Sequence, residues 1–116
     1  MNKIKAEITI TDEQIDNWLC GAFEGGSTYW CRGIKVKNND YKGTKYASEC
    51  VSRGGTIIVD DENCISNVDK NRILITLQVM SSDYPKSFDR LINDKYDADD
   101  SDRLFQIACF GEVIYG

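Results

Sequence analysis

The chain has 116 residues, 41% of them hydrophobic and 28% charged, with a net charge of −5. That is the size and balance of one globular domain, long enough to close a core without disulfide or metal staples. The acidity argues against direct nucleic-acid binding, because phosphate affinity comes from neutralising Lys and Arg, and the absence of histidine removes the commonest general base and metal ligand near neutral pH.

The five cysteines (Cys20, Cys31, Cys50, Cys64 and Cys109) are odd in number and form no C-x-x-C pair, so they carry no zinc or redox motif. The first residues alternate and do not form an apolar signal core. No run approaches the ~20 apolar residues of a membrane span. The expectation is a cytoplasmic chain with free thiols used as small core fillers, needing no metal and no cofactor. Charge is unevenly placed. Residues 1–55 carry eight Lys and Arg against seven Asp and Glu, whereas residues 56–116 carry six against twelve.

In chain order, Ile4, Ala6, Ile8 and Ile10 alternate with polar neighbours and predict a half-buried strand over 3–10. Thr11-Asp12-Glu13-Gln14 is a capping-box pattern. Ile15, Trp18, Leu19, Ala22 and Phe23 then form one helical face. The helix should stop at Gly25-Gly26, where glycine accepts a left-handed C-terminal residue. A short strand is expected over 33–37, a turn over 38–40, and a helical turn or irregular edge over 46–52, ending at Gly54-Gly55. Residues 56–60 read as a strand, and 72–79 as the strongest one, with Ile73, Ile75, Leu77 and Val79 on one face. Their short spacing suggests antiparallel neighbours. Ser81 to Pro85 starts a second helix carrying Tyr84, Phe88, Leu91 and Ile92. An acidic link, 94–102, runs into a buried last helix over about 99–110, closed by Gly111. Val113-Ile114-Tyr115 is a strand or a packed end. The class expected is α+β: a four- to five-stranded, mainly antiparallel sheet packed by about three helices.

Three stretches are candidate sites. Glu24-Gly25-Gly26-Ser27-Thr28-Tyr29-Trp30 is either a helix cap followed by core aromatics or a binding edge, since Tyr and Trp are enriched at interface hot spots. It is no phosphate loop, because the glycines follow a helix where a phosphate cradle precedes one. Arg53, before Gly54-Gly55, is a turn residue or a guanidinium at the mouth of a site. With Arg32 it could flank Tyr29 and Trp30 around an anionic or aromatic ligand. The aspartates of the link, including Asp97, Asp99, Asp100 and Asp102, lack the EF-hand pattern. They read as helix caps, as weak Mg²⁺ or Ca²⁺ ligands, or as a negative patch for a basic partner. No nucleophile–base pair suggests itself from spacing, so a non-enzymatic role is expected.

The E-G-G-x-x-Y-W segment at 24–30, Tyr46-Ala47-Ser48-Glu49-Cys50-Val51-Ser52-Arg53-Gly54-Gly55, and the ending from Asp97 to Gly116 with its F-G-E-x-x-Y-G close resemble a family of small phage and prophage proteins of Gram-positive hosts. The resemblance implies a mobile-element product acting in a bacterial cytoplasm. By analogy with small acidic phage proteins, it implies an accessory protein that binds and blocks a host defence component such as a CRISPR effector, with the 94–102 acids facing a basic nucleic-acid groove. Two other readings are a sponge for a nucleotide signal, built on Tyr29, Trp30, Arg32 and Arg53, and an assembly module whose aromatic edge makes a homodimer.

Overall fold

A computed structural model describes residues 7–116. The first helix, α1 (Asp12–Gly21), starts as its capping box requires: Thr11 accepts from the Gln14 amide at 3.1 Å, and Gln14 accepts from the Thr11 amide at 2.9 Å. Its buried residues are Ile15, Trp18 and Leu19. The helix then continues through one π-helical turn, Ala22–Gly26.

The double glycine therefore ends the helix, but not by the left-handed route expected, since neither Gly25 nor Gly26 has positive φ. Gly26 is required by close approach: a Cβ there would lie 2.4 Å from the Ala98 carbonyl oxygen. Glycine is what lets the end of the first helical segment rest against the start of the last.

Three strands follow: β1 (Gly33–Val36), β2 (Ile57–Asp60) and β3 (Ile65–Val68), forming one antiparallel sheet in the order β1-β2-β3. Ile57 pairs with both Val36 and Val68, and Asp60 with both Gly33 and Ile65. Between β1 and β2 lie the short helix α2 (Ala47–Cys50) and a 3₁₀ turn, Val51–Arg53. The β2–β3 turn is held by Asp61, whose carboxylate accepts from the amides of Asn63 and Cys64 at 3.0 and 2.7 Å.

The helices α3 (Lys70–Asp83), α4 (Pro85–Ile92) and α5 (Ala98–Phe110) complete the chain. α5 is central and packs on α1, α3, α4 and β3. Asp97 and Asp100 form a second capping box at its start, and Gly111, at φ 82°, caps its end.

The α+β class stands, but the expected sheet does not: the described residues form three strands and five helices. The reading of 72–79 as the strongest strand is overturned. Those residues lie within α3, where Asp69 caps the helix by accepting from the Arg72 amide at 2.9 Å. The buried positions are Ile73, Thr76, Leu77 and Met80, a helical spacing, while Leu74 and Ile75 are exposed. The alternation of apolar residues was incidental to burial. The partner of β2 is β3, over residues where no strand was expected. Residues 7–10 form no strand, and the rest of the stretch expected over 3–10 lies outside the described residues. The 113–115 tail is a packed end.

Candidate functional site

The stretch that follows α1 is anchored by one carboxylate on α5. Asp102 accepts from Ser27 Oγ at 2.8 Å and Trp30 Nε1 at 2.7 Å on one oxygen. The other oxygen accepts from Tyr29 Oη at 2.6 Å and Gln106 Nε2 at 2.9 Å. One helical turn later, Gln106 Oε1 accepts from the amides of Ile114 and Tyr115, both at 2.9 Å, and so ties down the tail. Tyr115 in turn stacks on Trp30, with centroids 5.6 Å apart and planes 7° from parallel. Phe105 and Phe110 close the other sides of the indole at 5.5 and 5.2 Å.

Trp30 is accordingly core, at 3% exposure, whereas Tyr29 is half exposed at 52%. Burial of its hydroxyl end, the hydrogen bond to Asp102 and that carboxylate's charge push the Tyr29 phenol up to about 12. It is held as a neutral donor, far from the range of a general base. Trp30 offers no free face for a stacked ligand or a dimer edge.

The two arginines expected beside this pair are elsewhere. Arg32 pairs with Glu62 at 3.3 Å on the surface. Arg53 lies near Asp12 and Asp16 of α1, at 3.9 and 4.0 Å. The ligand site imagined from Tyr29, Trp30, Arg32 and Arg53 is not assembled.

The acidic link is open to a partner only in part, at Asp94, Asp97 and Asp99. Asp100 and Asp102 are buried, and Asp97 is bound into the cap; of the aspartates expected there as binding residues, Asp97 and Asp99 remain exposed. Asp100 accepts both Nε and Nη2 of Arg90 at 2.8 Å and Nη1 of Arg103 at 3.2 Å. Burial alone would raise its carboxyl, but Arg90, the Ser87 hydroxyl and the Asp97 amide outweigh that and hold it down to about 2.

A second set of carboxylates, Glu13 and Glu24 exposed and Asp16 and Glu49 half-buried, lies along α1. A groove of about 560 Å³ runs between this helix and residues 46–49, with Glu13, Asp16, Glu24 and Glu49 along its walls. Glu13, Cys20 and Glu24 recur at intervals that keep them on one helical stripe. Phe23 lines the floor, and Tyr46, 57% exposed, stands at the lip. The local field is visible on Cys20, whose thiol is pushed up first by burial and then by its hydrogen bond to Glu24 and the charges of Glu24 and Glu49. Tyr46 already holds a cation over its ring, Lys45 Nζ at 5.4 Å from the centroid.

Of the residues expected from sequence to bind a partner or ligand, Glu24 alone lies in this groove. Glu13, Asp16, Tyr46 and Glu49 were not foreseen as partners of it. The i, i+3 and i+4 spacing of acids on α1 could have suggested the stripe, but nothing in the sequence brings 46–49 against it. Asp102 was read only as one acid among several. Among the described residues no group of carboxylates and thiols is placed to hold a metal ion. The core-filler reading holds for Cys50 and Cys109, which are buried, and fails for Cys64, which is exposed at the β2–β3 turn. No described helix is long and apolar enough to cross a membrane. Comparison with known proteins finds no matching family model, curated protein or solved structure.

Proposed function

We propose that this chain is a non-enzymatic accessory protein of a phage or prophage that binds and blocks a host defence component, in the manner of an anti-CRISPR protein acting in the bacterial cytoplasm. The observation that carries the reading is the groove along α1, with four carboxylates and an exposed Tyr46. Such a surface suits a Lys- or Arg-bearing segment, as found where a protein handles nucleic acid: carboxylates pair with the cationic heads, and the ring accepts one of them on its face. The resemblance of 24–30, 46–55 and 97–116 to small phage proteins supports the biological setting. The contact surface in this reading is Glu13, Asp16, Glu24 and Glu49, in place of the 94–102 link.

The test pairs recovery of a partner from host lysate with phage infection of a defended strain. The expected result is recovery of a nucleic-acid-binding defence protein in a salt-sensitive complex, together with rescue of infection. Both should be lost in the triple variant Glu13→Gln, Glu24→Gln, Glu49→Gln, whose fold is checked by circular dichroism. Undiminished rescue by the folded triple variant would overturn the groove as the contact surface. Failure of the unaltered chain to rescue any defended strain would overturn the proposal itself.

A further inference from the structure

At the start of α4 the charge is reversed. A cleft of about 440 Å³ is lined by Tyr84, Pro85, Lys86, Ser87, Arg90 and Arg103, so every charged side chain on its walls is a cation. This is unexpected on a chain of net charge −5. Lys86 and Arg90 are one helical turn apart on α4, and Arg103 reaches in from α5.

The buried Asp100 lies beneath them and explains only part of the cluster. A buried carboxylate must be paired, and the two-pronged contact of Arg90, at 2.8 Å on each oxygen, already does so. Arg103 adds a second guanidinium at 3.2 Å, and Lys86 an ammonium group without such a contact to Asp100. Asp89 and Asp97 act on Arg90 through their charge but do not line the cleft. Asp100 therefore neutralises one cation and fixes the orientation of two, leaving positive charge and free N–H donors turned to solvent. The Arg90 and Arg103 side chains remain 41% and 36% exposed. The first turn of α4 opens at the same place, and helix N-terminal amides favour negative charge.

We infer that this cleft is an anion site that takes a phosphate group, either inorganic phosphate or the phosphate of a small organic monophosphate. Two guanidiniums held in fixed orientation and an exposed ammonium match several oxygens of a tetrahedral dianion at once. Tyr84 and Pro85 give the organic part of a monophosphate an apolar wall. The inference is independent of the acidic groove and of any partner bound there.

Titration calorimetry of the full chain with sodium phosphate, and separately with a nucleoside monophosphate, tests it against sodium chloride at matched ionic strength. Saturable binding of phosphate, not reproduced by chloride, is expected. Arg103→Gln and Lys86→Gln should each weaken it by about tenfold or more, as the loss of a charge-assisted hydrogen bond requires. Arg90 is left intact so that Asp100 stays paired, and the two variants are independent, so a folding defect in one leaves the other to decide. Tighter binding of the nucleoside monophosphate identifies an organic phosphate as the ligand; equal binding identifies free phosphate. Absence of saturable binding, or binding unchanged in a folded variant, overturns the site.

Discussion

Asp102 accepts four hydrogen bonds, and each of its partners donates: two hydroxyls, an indole N–H and a carboxamide N–H. Only an ionised carboxylate offers acceptors alone on both oxygens. Asp102→Asn keeps the shape but turns an NH₂ toward two donors. We expect it to destabilise the fold by about 2–4 kcal/mol, because buried donors are left without acceptors. The urea-denaturation midpoint measures this, and a loss below about 0.5 kcal/mol would show that the four bonds are individually dispensable. The same carboxylate reinterprets the Tyr29-Trp30 pair. Their adjacency in sequence suggested an aromatic edge, yet the indole N–H is committed inward and the phenol is a tethered rim.

Helices that announced themselves by caps were legible: α1 through Thr11 and Gln14, α4 through Pro85, and the end of α5 through Gly111. Those caps are local, and local chemistry can be read locally. α3 was not, because Ile73, Ile75, Leu77 and Val79 satisfy a two-residue period that its burial ignores. β3 has only Val68 buried, and it owes its state to pairing with β2 rather than to its own pattern. The acidic groove was invisible for a similar reason, since it is built from segments that meet only in three dimensions. Packing between α1 and α5 gives a sharper test of such meetings. A Cβ on Gly21 would lie 2.8 Å from Ser101 Oγ, a buried hydroxyl without a hydrogen-bond partner. Gly21→Ala alone should lose more to this clash than the ~1 kcal/mol it gains in helix propensity. Ser101→Ala should be close to neutral, since it removes an unsatisfied group. The double variant should exceed the sum of the two by about 1 kcal/mol, read from a thermal double-mutant cycle. Additive effects would mean the helices separate at no cost.

The charge of the molecule is sorted into an acidic groove on α1 and a cationic cleft at α4, with Asp100 buried behind the latter. Because its folded-state carboxyl is held down to about 2 against an ordinary 3.8, its ionised form stabilises the fold above pH 4. That stabilisation, about 2 kcal/mol, drains away as pH falls from about 4 toward 2. Acid titration of stability should therefore be shallower over this window in Asp100→Asn than in the unaltered chain, although the variant is weaker at neutral pH. Equal slopes would remove Asp100 from the acid response. The Asp102 network also has a consequence in time. Its bonds to Ser27, Tyr29 and Trp30 span 75, 73 and 72 residues of chain. At about 5–20 residues per second, a ribosome finishes that interval several seconds after the indole has been made. Until then the aromatic ring and its N–H lack their acceptor and their apolar cover, so the nascent chain must carry this core residue unshielded until the last helix is being synthesised.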